Sequence, residues 1–279
     1  MNRITCGIAL SLAISLLAGC GGGGGDGSDN GGGSCSALNA KGAKVFGGET
    51  CDQAARTPVL ALFPLESNGS QITIAGICTA SLVTVDDFIT SAHCFTDPLA
   101  ELGSSIVGFG VVAGGSGGEG ILVGSYRVHP QYNGVAGSPF DVAMGTLVQI
   151  PNPPIGPLPV LSSVATTEGE SITTFGYGTS NEGEIGILKA ADLTIDSIQN
   201  GNIIANSQDA GASVCQGDSG GPIVQVRDGV TAIVGVNSFG DVSQEQCGAV
   251  GANISGFVDI QNSAVLPFVL GYVPDVAQR

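Results

Sequence analysis

Short runs rich in valine, isoleucine, leucine and phenylalanine recur along the chain, each closed by glycine or polar residues. In the first half they fall at residues 59–63, 72–77, 81–85, 88–91, 106–112 and 121–128. Runs of this length and spacing predict antiparallel strands in a closed barrel or a sandwich. The segment Pro151-Asn152-Pro153-Pro154-Ile155-Gly156-Pro157-Leu158-Pro159 cannot continue a ladder, because proline has no amide hydrogen to donate, so it reads as an extended connector between two halves. A second β-rich half follows, and within it residues 232–240 form a further strand.

Composition agrees with an all-β chain. Only 11% of the 279 residues are charged, 46 are glycine and none is tryptophan, which allows one large core or two small ones and excludes a disordered chain. The N-terminus differs from the rest. Arg3 precedes an apolar run at residues 8–17 and then small residues, the layout of a secretory signal; the run is far short of the ~20 residues that cross a bilayer. Leu17-Ala18-Gly19-Cys20 resembles a bacterial lipoprotein signal, which implies removal of residues 1–19 and lipidation of Cys20. Residue 21 is glycine rather than aspartate, so the outer membrane is the expected site if the source is Gram-negative.

Of the fourteen positions from Gly21 to Ser34, nine are glycine and the others are aspartate, serine or asparagine. Nothing apolar offsets the entropy of ordering such a stretch, which makes residues 20–44 a flexible tether and propeptide. Loss of Arg3 with the signal leaves the chain one unit more negative than its formal −16. Nucleic acid is excluded as a partner, because phosphate binding needs a basic patch. Of eight cysteines, Cys6 leaves with the signal and Cys20 takes lipid. The six remaining are an even number, as an exported disulfide framework requires, with 15 possible connectivities.

The chemistry concentrates in Cys215-Gln216-Gly217-Asp218-Ser219-Gly220-Gly221-Pro222. A serine enclosed by glycines and preceded by an acid suits nucleophilic catalysis. Gly217, Gly220 and Gly221 permit turn geometry that a Cβ would obstruct, so the amides of Gly217 and Ser219 can converge on an oxyanion. This string resembles the active-site serine segment of the chymotrypsin/trypsin-like serine peptidases. Gly76-Ile77-Cys78-Thr79-Ala80-Ser81-Leu82 with Phe88-Ile89-Thr90-Ser91-Ala92-His93-Cys94 is similar to that family's histidine region, and Phe140-Asp141-Val142-Ala143-Met144 to its aspartate segment. His129-Pro130-Gln131-Tyr132-Asn133 resembles the family's approach to the aspartate, where the histidine has no chemical role. Asp141 enters an apolar strand, where an unpaired carboxylate is costly, and His93 is its natural partner.

The resemblance spans about residues 45–270 and implies two antiparallel six-stranded Greek-key barrels with the active site in the cleft between them. Barrel 1 would cover about 45–150 and barrel 2 about 160–270, within a peptidase domain at 45–279. It implies a triad of His93, Asp141 and Ser219, an oxyanion hole at Gly217 and Ser219, and no metal or cofactor. Ser213 stands where the family's pocket floor lies, joined by Val214, Ser238, Phe239, Gly240 and Gly251. Ser213 is not acidic, which favours apolar over cationic residues before the scissile bond. Phe175-Gly176-Tyr177-Gly178 resembles a Gly-Trp-Gly element with tyrosine for tryptophan.

Lys44-Val45-Phe46-Gly47-Gly48-Glu49 resembles the family's activation site. An activating protease would cut after Lys44, and the new Val45 ammonium would pair with Asp218. The family pattern pairs Cys78 with Cys94 and Cys215 with Cys247, leaving Cys35 and Cys51 to bridge across the cut. The partners implied are peptide or protein substrates, an activating protease, and a membrane reached through the Cys20 lipid outside the bacterial cytoplasm. A catalytically inactive, protease-like binding lipoprotein is the alternative. Two departures stand out: the interval from Asp141 to Ser219 is short for the family, and Pro267 is expected to interrupt the terminal helix.

Overall fold

The computed structural model describes residues 35, 42–44, 49–51, 56–113, 118–179, 183–206, 213–240 and 254–279. Fifteen strands and two short α-helices are seen among them. A hairpin of β1 (Gly42–Lys44) and β2 (Glu49–Cys51) comes first. The first barrel follows: β3 (Val59–Ser67), β4 (Ile72–Ile74), β5 (Cys78–Leu82), β6 (Asp87–Thr90), α1 (His93–Leu102), β7 (Ile106–Ala113), β8 (Glu119–Val128) and β9 (Ala143–Leu147). The second contains β10 (Ser171–Gly176), β11 (Lys189–Gln199), β12 (Asn202–Asn206), β13 (Pro222–Arg227), β14 (Val230–Gly240) and β15 (Ile254–Asp259), and α2 (Val265–Tyr272) ends the fold.

Both barrels are antiparallel, six-stranded and closed. The first runs in the order β3-β5-β6-β9-β8-β7 and closes through β7 onto β3, with β4 added beside β3. The second runs β11-β10-β13-β14-β15-β12 and closes through β12 onto β11. Closure leaves no barrel strand with an unpaired edge. The β1–β2 hairpin adds to the second barrel, where β2 pairs with β11.

The period-2 geometry of a strand divides the apolar residues between two destinations. In β3, Leu60 and Leu62 fill the first barrel, whereas Val59 and Ala61 face a separate cluster that joins the two barrels. Phe88 and Ile89 of β6, and Ala143 and Met144 of β9, divide the same way. In the second barrel Phe257 points inward and its neighbour Val258 enters the shared seam. Strands buried on both faces need apolar residues at successive positions, which is why these segments read as continuous runs rather than as alternation.

Two elements depart from the sequence reading. Pro267 does not interrupt the last helix: it is the third residue of α2, within the first turn, where amide hydrogens have no intrahelical acceptor and none is lost. The helix buries Val265 and Val269 in the inter-barrel seam. The other element, α1, was not anticipated. Its apolar residues at 94, 95, 98, 99 and 102 recur at helical spacing, but the run is only ten residues long and carries Pro98 internally, which reads as a break.

Gly145 shows how closely the first barrel is packed. It lies opposite Phe88 in the β6–β9 pairing, and a Cβ there would stand 2.2 Å from Phe88 Cζ. Gly145→Ala is therefore expected to destabilise the protein by about 1–3 kcal/mol. Adding Phe88→Leu should produce less than the sum of the two single effects, as read from denaturant midpoints; strict additivity would contradict the contact.

Candidate active site

Three loops meet at the junction of the barrels. The residues after β6 open α1 with His93, the β8–β9 connection ends at Asp141, and the turn before β13 carries Ser219. Asp141 is the anchor, with a side chain only 3% exposed. One carboxylate oxygen accepts the His93 backbone N–H at 2.9 Å; the other accepts His93 Nδ1 at 2.8 Å and the Ser238 hydroxyl at 2.6 Å. Donation from Nδ1 leaves Nε2 as the acceptor nitrogen of the neutral ring. Burial opposes the imidazolium, but the hydrogen bond and charge of Asp141, with the charge of Asp97, outweigh it. The net effect raises the His93 pKa above its ordinary value.

The half-buried Ser219 sits on a loop held from both barrels. From the first barrel, the Thr79 amide donates to the Ser219 carbonyl at 2.8 Å and the Thr79 hydroxyl donates to the Gly217 carbonyl at 2.8 Å. From the second, the Gly220 amide donates to the Asn237 carbonyl and the Asn237 amide to the Gly221 carbonyl, both at 2.8 Å. Ser91 adds its hydroxyl to the Asn237 carbonyl at 2.5 Å. Glycine is required at three places in this loop, Gly221 among them because a Cβ there would run into the Phe175 carbonyl. Gly217 has φ +97°, and Gly220 has φ +83° with a Cβ position 2.0 Å from Thr90 Oγ1. The amides of Gly217 and Ser219 donate to no acceptor among the described residues, which leaves both available to an oxyanion.

Asp218 points away from the cleft into the second barrel and is 4% exposed. Its two oxygens accept the amides of Gly178 and Cys215, each at 2.8 Å. A Cβ at Gly176 or Gly178 would lie 2.1 Å or 2.6 Å from Asp218 Oδ1, so the Gly-Tyr-Gly string is shaped by this carboxylate. Burial pushes Asp218 up to about 6, against the two amide bonds and the positive field of Lys189. Tyr177 between the glycines is buried and its hydroxyl donates to the Val59 carbonyl at 3.2 Å.

Beside Ser219 lies a cavity of about 170 Å³ whose walls include Val214, Gln216, Asn237, Phe239 and Gly240. The Phe239 ring lies flat over β15, where a Cβ on Gly256 would be 2.2 Å from Phe239 Cζ. Ser213, next to Val214, is 2% exposed, and its hydroxyl has no partner among the described residues. Ser238 was assigned to the pocket from sequence, yet its hydroxyl serves Asp141, because successive residues of a strand face opposite ways. Val45, Cys247, Gly251 and Cys20 lie outside the described residues.

Disulfides hold the surroundings. Cys78–Cys94 ties β5 to α1 directly behind His93. Both sulfurs lie near His93, but a disulfide supplies no thiolate, so these residues do not make a metal centre. Cys35–Cys51 ties the N-terminal segment to β2, with Cα atoms 5.5 Å apart, and Cys215 is disulfide-bonded as well. His129 is buried away from the chemistry, stacked on Phe140 at 4.9 Å, with Nε2 3.3 Å from the Ala264 carbonyl. Thr79, Ser91, Gln216 and Asn237 were not assigned roles from sequence. Thr79 and Ser91 do lie inside the strings quoted around His93, but nothing local shows a hydroxyl reaching the other barrel.

Comparison with known proteins agrees with this geometry. The family model described as Trypsin matches residues 45–261. A "Trypsin" of Saccharopolyspora erythraea is 27% identical over 186 residues, covering 59% of this chain and 75% of the relative. "Serine protease 1" of Drosophila melanogaster is 37% identical over 78 residues, 27% of this chain and 29% of the fly protein, and "Serine protease 2" of the same organism matches to the same extent. With two closed barrels and a matching family model over most of its length, the chain belongs to the trypsin family of serine peptidases.

Proposed function

We propose that the protein is an active serine endopeptidase. The observation that carries this reading is the Asp141 carboxylate bonded to both the backbone and the ring of His93 at the mouth of the Ser219 loop. Ser219 Oγ attacks the peptide carbonyl while His93 Nε2 takes its proton, then returns it to the leaving amine; water hydrolyses the acyl-enzyme. Asp141 keeps the ring in the Nδ1–H form and stabilises the imidazolium. The Gly217 and Ser219 amides stabilise the oxyanion, and loss of one such donor typically lowers turnover by ~10²–10³. The substrate's side chain enters the cavity beside Val214, Phe239 and Gly240, near Ser213. With no acid at Ser213, uncharged and apolar residues are favoured there over lysine or arginine.

Labelling with a fluorophosphonate tests the chemistry. Ser219 should be modified in the wild type and unmodified in His93→Ala, whereas a non-catalytic binding lipoprotein would show no labelling at all. The acidic limb of kcat/KM should turn above the ordinary imidazole value of 6.5, because His93 must be neutral to accept the proton. Asp141→Asn should move that limb to lower pH and reduce kcat by roughly 10³–10⁴. An unchanged limb would contradict the role given to Asp141.

Activation follows from Asp218. A buried carboxylate with a pKa near 6 is strained at neutral pH and gains from a nearby cation. Cleavage after Lys44 would provide the Val45 ammonium, and the family match itself begins at residue 45. The Cys35–Cys51 bridge would hold the cut segment, and with it a lipid on Cys20, to the active domain at an outer membrane. Mass analysis of the membrane fraction should find a Val45 N-terminus and a lipidated fragment released only by reductant. Lys44→Gln should remain uncut with a few per cent of the activity; full activity in that uncut protein would overturn the scheme, and Cys20→Ser should free the protein from membranes.

A further inference from the structure

Polar groups around Ser219 are almost all satisfied: Thr79, Thr90, Ser91, Asp141, Asp218 and Ser238 each bond a named partner. Asn237 and Ser213 are the exceptions. The Asn237 backbone is fully engaged, with its amide on Gly221 and its carbonyl accepting from Gly220 and Ser91, so the residue is held in place. The residue borders the same cavity as Ser219 and is 2% exposed, and its carboxamide oxygen has no hydrogen-bond partner among the described residues. The Ser213 hydroxyl, one residue before the cavity-lining Val214, is likewise buried and unpartnered among the described residues. None of the described residues lining the cavity is charged.

A buried carboxamide without a partner is unfavourable until some other group satisfies it. In a pocket beside a nucleophile, the arriving substrate side chain can be that group. The amide has an acceptor and donors on one plane, and its terminal torsion is broad, so it can turn either end toward the cavity. Another carboxamide complements it fully, donating to the oxygen and accepting from the NH₂. An apolar side chain would exclude water and leave Asn237 unpaired. A carboxylate could only accept, and would bring its charge into a pocket with no charge among its described walls, in a protein with a formal charge of −16. A lysine would only donate, with no described anion in the walls to balance it.

We propose that Asn237 is a specificity-determining residue that selects glutamine or asparagine on the acyl side of the scissile bond. This refines the uncharged preference given above and rests on the peptidase reading. Sites built to hydrogen-bond a substrate group discriminate strongly against analogues that lack it, since their own buried polar groups are then left unpaired.

The test is a set of peptides identical except at that residue, carrying glutamine, glutamate, methionine, leucine or lysine. The wild type should cleave the glutamine peptide at least about tenfold faster in kcat/KM than its near-isosteres with methionine or glutamate. Asn237→Leu, similar in size but unable to hydrogen-bond, should lower the glutamine-to-methionine ratio by about tenfold or more. Asn237→Asp, which keeps the shape and adds a negative charge, should shift preference toward lysine. Wild-type enzyme that cleaves methionine or leucine peptides as fast as glutamine overturns the proposal, as does a ratio unchanged in Asn237→Leu; either result means that water alone satisfies the amide. Ser219 that labels with fluorophosphonate while the glutamine preference is missing sinks only the role of Asn237. Failure to label, with no peptide cleaved, removes the peptidase reading beneath it.

Discussion

A carboxylate placed between two barrels stays charged only if donors surround it, and Asp141 draws its donors from both sides. His93 belongs to the helix that follows β6 of the first barrel, and Ser238 to β14 of the second. The site therefore depends on the barrels being docked, since separating them would remove the Ser238 donor and expose the carboxylate. Removing one partner of such a buried group is more harmful than the bond's nominal worth, because the group left behind is unpaired. The seam that keeps the barrels together is apolar, built in part from Val59 and Ala61 of β3, Ile89 of β6, Met144 of β9 and Val258 of β15, and closed by α2.

The nucleophile loop obeys the same constraint at smaller scale. Thr79 of β5 and Asn237 of β14 grip it from opposite barrels through backbone groups of Gly217, Ser219, Gly220 and Gly221. Directly behind it, Asp218 fills the space that side chains at Gly176 and Gly178 would need. The loop is shaped by what it touches, and its glycines mark where the approach is too close for a Cβ. Among the described residues the Gly217 and Ser219 amides have no acceptor, as a site for developing negative charge requires.

Much of this was legible along the chain. The strings around His93, Asp141 and Ser219 carry glycines, cysteines and apolar flanks, and it is their resemblance to serine-peptidase segments that marks the three residues as a candidate triad. Strand positions were readable because strands buried on both faces give continuous apolar runs. The N-terminal apolar run, the glycine-rich stretch after it and the cysteine count are read from the sequence alone, and residues 1–34 lie outside the described ones.

Other features had no local signature. The helix α1 is only ten residues long, and its internal Pro98 masks the helical spacing of its apolar residues. Pro267 reads as a helix breaker until its place in the first turn is known. Ser238 and Asn237 are adjacent polar residues of one strand, and no pattern distinguishes them. Only their opposite orientations send one hydroxyl to Asp141 and leave the neighbouring amide beside the cavity without a partner. The sequence by itself determined which residues could do chemistry, since that depends on side-chain type and short spacing. The tertiary structure decided which of them meet, because a hydrogen bond between residues 48 or 97 positions apart depends on how two barrels pack.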